Sequence, residues 1–395
     1  MSLFAWSTAL AWLVVISLGF WRRGAPLAIA LTIFGALHAF VALELQSQLG
    51  LPWPLVVLLQ FGMLAPLLLH RSQRLRAPVF HAAISMPSAW WSAGSFLALP
   101  WAIAAALGSP MAWPWAPYLL ALFGFRDSLW MAEEIVDVVL DEVEVDARPR
   151  RHRSARPRGE GRPLRLVQIT DPHLGPFMSE ARLRRICERA VARQPDLILL
   201  TGDFLTVESN NDPQALARAL APLRAMQGRT FACLGNHDHE ALPVVQHGLF
   251  AAGVTLLIDE SIVVETEAGP VQIVGVDFRW RDRAAHLAAV CAAHPRVGEA
   301  LRLILLHDPG AFRHLPAGEG DLVLSGHTHG GQLGLLLFGL PYTILSALTS
   351  IPDHGLWARG RDRLYVHRGT GHYGFPLRLG VPAEYSLLQV HRDGG

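Results

Sequence analysis

A chain of 395 residues exceeds one average domain, and a content of 51% hydrophobic with only 17% charged residues excludes a disordered protein. A net charge of +1 excludes a chain-wide polyanion-binding surface, and three widely spaced cysteines, Cys187, Cys233 and Cys291, exclude a disulfide framework or a zinc ribbon. These averages conceal two halves: charge is nearly absent before about Phe125, whereas the chain beyond Asp146 has an ordinary soluble composition.

Leu3 to Phe20 is a near-continuous apolar run closed by Arg22 and Arg23, and Ala25 to Leu45 is a second that contains His38 and Glu44. Leu51 to Leu69 makes a third, followed by Arg71, Arg74 and Arg76. Each is about the length that crosses a bilayer. Trp90 to Phe125 is apolar again but divided by prolines, with Gly108-Ser109-Pro110 as the expected turn, which predicts two further spans. The first run lacks a basic n-region and is followed by other spans, unlike a cleaved signal peptide. Residues 1–130 are thus expected to form an all-α multi-span membrane domain of about five spans. Arginine distribution places the loops carrying Arg22, Arg23, Arg71, Arg74 and Arg76 in the cytoplasm, and five spans return the chain to that side of the inner membrane at Arg126. Four spans would put the following basic cluster outside. His38 and Glu44 could be functional intramembrane groups, although Glu44 can reach the interface.

Residues 131–161 are expected to be a strand and a basic linker. Glu142-Val143-Glu144-Val145-Asp146 alternates with period two and predicts the strand. Arg148 to Gly161 is rich in Arg, Pro and Gly, the composition of a solvated segment able to meet anionic headgroups. No aromatic residue interleaves with its arginines, so nucleic acid is not an expected partner.

From Leu164 onward, residues 162–395 alternate apolar strands with helical stretches, the pattern of an α/β fold. Strands are predicted at Leu164 to Ile169, Leu197 to Leu200, Thr230 to Leu234, Val271 to Val276, Leu301 to Leu306 and Leu322 to Leu324. Helices are predicted at Glu180 to Arg193 and Pro213 to Met226, with Ser179 and Asp212 as N-caps. The residues after successive strands are Asp171-Pro172-His173, Gly202-Asp203, Gly235-Asn236-His237-Asp238, His307-Asp308 and Gly326-His327-Thr328-His329. Potential ligands thus recur at one end of the strands, where α/β sheets place their sites.

Asp171, His173, Asp203, Asn236, His307, His327 and His329 offer carboxylate, imidazole and amide oxygen, a set suited to Mn, Fe, Zn or Mg. Seven ligands are too many for one tetrahedral zinc but suit two ions about 3.5–4 Å apart that share a carboxylate. The ordered motifs, over about Leu164 to Val390, resemble the calcineurin-like metallophosphoesterase superfamily. The forms Gly326-His327-Thr328-His329-Gly330-Gly331-Gln332 and Leu364-Tyr365-Val366-His367-Arg368-Gly369, with Pro376-Leu377-Arg378-Leu379, resemble its bacterial membrane-associated branch, whose members include phosphodiesterases and UDP-diacylglucosamine pyrophosphatases.

The resemblance implies a β-sandwich flanked by helices that holds two divalent metal ions. It implies that Asp171, His173 and His329 hold the first metal, that Asn236, His307 and His327 hold the second, and that Asp203 bridges them. It gives His237 the scissile phosphate and the leaving oxygen, with Asp238 orienting or charging that imidazole. His239, Asp277 and Asp308 have no family role and are expected to support the site, while His372 is expected at the surface or against substrate. The implied partners are a phosphoester or pyrophosphate substrate, lipid-linked in the branch it resembles, and membrane lipids, with no protein partner. Open alternatives are a phosphomonoesterase, including a protein phosphatase, and a non-catalytic membrane sensor or transporter with a scaffold domain. Leu333 to Leu348 is apolar but broken by Gly339 and Pro341, so it is either a packed loop or an apolar lip beside the histidines.

Overall fold

The computed structural model describes residues 2–62, 78–140, 144–157, 161–206, 209, 212–372 and 377–392. The chain divides into two compact units, one formed largely by residues 1–126 and the other largely by residues 127–373 and 380–395.

The first unit is helical. Helices α1 (Leu3–Arg23) and α2 (Ala25–Leu49) are separated by Gly24, and Trp12 and Val15 pack against Leu31. Leu3, Trp6, Leu10 and Leu13 on α1 and Ile29 and Ile33 on α2 are exposed, so both helices are apolar on the faces that pack and on the faces that do not. Helices apolar on every face occur in large protein cores and in membranes. Both are long and apolar enough to cross a membrane. The third apolar run begins as α3 (Trp53–Gly62); its remainder, with Arg71, Arg74 and Arg76, lies outside the described residues. After a π-helical turn at His81–Ser85 come α4 (Met86–Leu97), α5 (Leu99–Ala106) and α6 (Ala116–Leu129). Pro87 and Pro100 fall in the first turns of α4 and α5, and Gly108 has φ +76°, so prolines and this turn divide the region into shorter pieces than the two spans expected there.

The second unit is a sandwich of two sheets. One has the order β1 (Met131–Leu140), β13 (Ala383–Arg392), β3 (Leu164–Ile169), β4 (Leu197–Thr201), β5 (Thr230–Cys233), β6 (Thr255–Leu256). The other has the order β2 (Arg150–Arg151), β11 (Gly355–Arg359), β12 (Asp362–Val366), β10 (Leu322–Ser325), β9 (Leu301–Leu305), β8 (Gly269–Gly275), β7 (Glu260–Thr266). Alternate residues of both sheets meet in the central core: Leu164, Leu166, Leu197, Leu199 and Phe231 from one, Leu303, Leu305, Leu322 and Leu324 from the other. The outer face of the second sheet, through Ile304, Val323 and Val366, packs on Leu287 and Val290 of the helix Arg283–Ala293.

The six predicted strands are present, and β3, β4, β5, β9 and β10 run parallel within their sheets, bringing their C-terminal ends to one edge. The helix Glu180–Ala192 starts at Ser179, whose side chain accepts from Arg182 N, and the helix Pro213–Leu220 starts at Asp212, which accepts from Gln214 and Ala215 N. The second helix tightens to 3-10 geometry over Ala221–Met226 rather than remaining α-helical as expected. The strand expected at Glu142 to Asp146 is displaced. Glu144 to Asp146 are not in a strand, and Glu142 and Val143 lie outside the described residues. The strand is instead β1, starting eleven residues earlier, because Met131–Leu140 finds a parallel partner in β13 along its whole length. The basic stretch is likewise not wholly a linker, since Arg150–Arg151 pairs with β11; Arg158 lies outside the described residues.

Candidate metal centre

Three of the five strands that deliver candidate ligands, β3, β4 and β10, end in backbone that side chains avoid. Asp171, His173, Asp203, His327 and His329 have φ between +46° and +66°, five of the ten non-glycine residues with positive φ among the described residues. A non-glycine residue there costs about 1–3 kcal/mol and persists only where its surroundings hold it. The surroundings are identifiable. The Asp171 carboxylate accepts from His327 N at 2.9 and 3.1 Å and from Thr170 Oγ1 at 2.8 Å. The Asp203 carboxylate accepts from His237 N at 2.9 Å. A Cβ on Gly326 would lie 2.2 Å from Asp171 Oδ2 and from Thr170 Oγ1, so this position admits no side chain.

Two clusters result. Asp171, His173 and His329 form one, and Asp203, His307 and His327 form the other, with the ligand atoms of each within 4.8 Å of one another. In the first, His329 Nε2 is 3.4 Å and His173 Nε2 is 3.9 Å from Asp171 Oδ1, and the two ring nitrogens are 3.2 Å apart. Asp203 Oδ2 faces both clusters, 3.7 Å from His173 Nε2 and 3.3 Å from His307 Nε2. His307 Nδ1 donates to the Thr201 carbonyl at 2.5 Å, which turns Nε2 toward Asp203. Asn236 Oδ1 is buried without a hydrogen-bond partner. Converging ring nitrogens, two carboxylates and an orphaned amide oxygen fit divalent cations such as Mn, Fe, Zn or Mg.

The electrostatics of the clusters follow from burial set against the close packing of carboxylates and imidazoles. Burial opposes ionisation of Asp171, yet His329, His307 and His173 together hold its carboxyl well below the usual range. Burial likewise opposes ionisation of Asp203, but His307 and His173 lower it. Burial favours neutral His307, but Asp203, Asp171 and the Thr201 carbonyl raise it to about 10, so that it carries a proton. His173 is pushed down to about 3, first by burial, with Asp203 opposing. Burial and the nearby His307 lower His327.

His237 stands beside the first cluster, its ring 5.5 Å from that of His173, and its Nδ1 lies 3.3 Å from Glu240 Oε1. Burial alone would lower its pKa, but Glu240 and Asp203 outweigh that and raise it. Asp238, expected to orient or charge this ring, adds to the rise in its pKa but spends its hydrogen bonds elsewhere. Its Oδ2 accepts from Asp203 N and Gly235 N and its Oδ1 from Phe204 N, all at 2.8 Å, so it ties the second and third strand-end loops together. Burial and Asp203 push Asp238 up to about 7. The carboxylate on the ring is Glu240, which sequence reasoning missed although its i+3 spacing from His237 was a usable signal.

The remaining predicted residues separate. His239 pairs with Asp277 at 3.0 Å, and Asp308 pairs with Arg283 at 2.8 Å while capping Gly310 N. His372 is not at the surface but buried, its ring 4.9 Å from Phe177, because the loop after β12 folds inward. Phe278 and Trp280, also missed, flank His327 with ring centroids 6.0 and 6.3 Å away. Tyr373, Gly374 and Pro376 lie outside the described residues.

Comparison with known proteins gives these clusters a family. The calcineurin-like phosphoesterase profile matches residues 164–331, the segment that carries all seven residues. Phosphodiesterase YaeI of Escherichia coli is 32% identical over 246 residues, 61% of this chain and 87% of that protein. The UDP-2,3-diacylglucosamine pyrophosphatase LpxG of Chlamydia trachomatis is 27% identical over 278 residues, 57% of this chain and 83% of that protein. A transmembrane protein with metallophosphoesterase domain from Danio rerio is 31% identical over 245 residues, 57% of this chain; the match spans 52% of its length. With most of the E. coli relative covered at this identity, and with the strand-end clusters inside the matched segment, the chain belongs to the calcineurin-like phosphoesterase family of hydrolases acting on phosphoester bonds.

Proposed function

We propose that this chain is a membrane-anchored, binuclear-metal phosphohydrolase that cleaves a phosphodiester or pyrophosphate bond in a lipid or cell-envelope precursor. The observation that carries the reading is Asp203 Oδ2, which faces an imidazole of each cluster at 3.7 and 3.3 Å and is therefore suited to bridge two cations. Asp171, His173 and His329 would hold one ion, and Asn236, His307 and His327 the other. Two bound cations supply Lewis acidity to the phosphoryl oxygens and an activated water. His237, whose pKa Glu240 and Asp203 raise, donates a proton to the leaving oxygen. Asp238 acts through the loops by holding the amides of Asp203 and Gly235. The two apolar helices support membrane attachment, and the multi-span arrangement with a cytoplasmic second unit is part of the same proposal. The diacylglucosamine in the name of the chlamydial relative supports a lipid-linked pyrophosphate as the substrate class.

The test is hydrolysis by the purified full chain with added Mn. A chromogenic phosphodiester should turn over faster than the matching monoester, and Asp203→Asn should abolish turnover. A faster monoester would make the chain a phosphomonoesterase, and no hydrolysis with any divalent ion would overturn the proposal.

A further inference from the structure

The segment after the histidine loop is neither a packed loop nor part of the core. Ile344 N donates to Leu333 O and Leu335 N to Tyr342 O, at 2.8 and 2.9 Å, closing a hairpin whose far side is pinned by Leu337 N to Gly380 O at 3.1 Å. The capped helix Ile344–Leu348 follows. The backbone is satisfied, yet the side chains face outward: Phe338 is 76%, Tyr342 63% and Leu348 75% exposed, and Leu335, Leu337 and Leu340 are also exposed. From Gly330 to Pro352 the sequence contains no charged residue. A hydrogen-bonded, uncharged hairpin with six large apolar side chains in solvent marks an interaction surface.

The rim identifies the occupant. Ser350, Ile351 and Pro352, just past the helix, line an open cavity of about 490 Å³ with Arg148, Arg313 and His314, and no carboxylate lines it. Cations at the end of an uncharged apolar segment complement anionic headgroups above acyl chains. Two helices of the same chain are long and apolar enough to span a membrane, so a bilayer is the surface this hairpin meets at high effective concentration. The hairpin is also rigidly joined to the metal centre: Asp353 accepts from Thr343 Oγ1 through Oδ2 at 2.6 Å, and its carbonyl accepts from Thr328 Oγ1, between His327 and His329, at 2.7 Å.

We infer that residues 333–348 form a monotopic membrane-docking hairpin that inserts Leu337, Phe338 and Leu340 into an anionic lipid surface while Arg148 and Arg313 take the headgroup phosphates. The three native cysteines are buried, so an environment-sensitive thiol probe can be placed selectively at Phe338→Cys and, as a control on the helix Glu180–Ala192, at Glu188→Cys. The metal-free full chain is reconstituted into phosphatidylcholine vesicles with or without phosphatidylglycerol, and with nitroxide-labelled lipid. The position 338 probe should shift to the blue and be quenched by the nitroxide, more strongly with phosphatidylglycerol, while the position 188 probe is unchanged. Arg148→Gln with Arg313→Gln should weaken the anionic preference by about fivefold per arginine.

A position 338 probe that stays water-exposed in both vesicles overturns the inference. So does a blue shift without nitroxide quenching, which would report a protein contact instead. Equal insertion in both vesicle types, untouched by the arginine substitutions, overturns the headgroup role of the rim. No step requires turnover, so the outcome is independent of the proposed hydrolysis.

Discussion

Asp238 is the residue for which sequence and structure give different chemistry, and its substitution separates them. Its carboxylate accepts three backbone N–H groups, from Gly235, Asp203 and Phe204, each at 2.8 Å and all buried. Asp238→Ala strands all three donors at about 1–3 kcal/mol each, which predicts a loss of roughly 3–9 kcal/mol in local stability. Asp238→Asn keeps one acceptor oxygen and loses at least one of the three bonds, predicting about 1–3 kcal/mol. Because all three amides belong to the loops carrying Asp203 and Asn236, the loss should be local before it is global. Hydrogen exchange at Asp203, Phe204 and Gly235 reads it directly, and a thermal melt of the solubilised chain gives the global part. Exchange should accelerate in the order wild type, Asp238→Asn, Asp238→Ala. If these amides stay as protected in Asp238→Ala as in the wild type, while the pH profile of hydrolysis shifts, then Asp238 acts on the His237 charge and the loop argument is refuted.

Other outcomes follow from the same geometry. His307, raised to about 10 from 6.5, holds a proton that a divalent cation must displace. Mn affinity should therefore climb by about tenfold per pH unit below that value, with calorimetric proton release that depends on the buffer; binding without proton release would refute it. In the metal-free chain, the same raised pKa contributes stability that is fully present below about pH 6.5 and is lost as pH rises through about 10, measurable as a falling melting temperature. Gly326→Ala, with its Cβ 2.2 Å from Asp171 Oδ2, should displace that carboxylate and lower metal content while far-ultraviolet dichroism is retained. Glu240→Gln removes the carboxylate that raises His237, so the alkaline limb of the kcat/KM profile should move to lower pH; an unmoved limb would exclude His237 as the acid.

The parts of this molecule that were legible in the sequence are those governed by local rules. Short apolar runs located β3, β4 and β9, and Ser179 and Asp212 announced their helices because an N-cap needs only a side-chain oxygen and nearby amides. The ligand-bearing turns were legible because polar, glycine-flanked residues followed each apolar run. What escaped depended on long-range partners. β1 was misplaced because Glu142 to Asp146 alternates and Met131–Leu140 does not, and only β13, some 250 residues away, selects the latter. Glu240, not Asp238, bonds the His237 ring because which carboxylate faces an imidazole depends on the turn's backbone path, not on adjacency.

That dependence also explains why the site sits where it does. Left-handed backbone at Asp171, His173, Asp203, His327 and His329 is unfavourable in isolation, at about 1–3 kcal/mol per residue, and no local signal in these turns offsets it. What holds it is non-local. Asp171 clasps the His327 amide, Asp203 clasps the His237 amide and Asp238 clasps those of Asp203 and Gly235. Each clasp joins loops whose strands are fixed by the core of Leu166, Leu199, Leu305 and Leu324. A ligand carboxylate therefore has two duties here, one oxygen set on the backbone and the other facing the imidazoles. The prediction that distinguishes this from a purely ligating role is Asp203→Asn in the metal-free chain. The amide's oxygen can still accept from His237 N, so the loop should keep its hydrogen-exchange protection while metal affinity falls; loss of both together would mean that charge, rather than the hydrogen bond, holds the backbone in place.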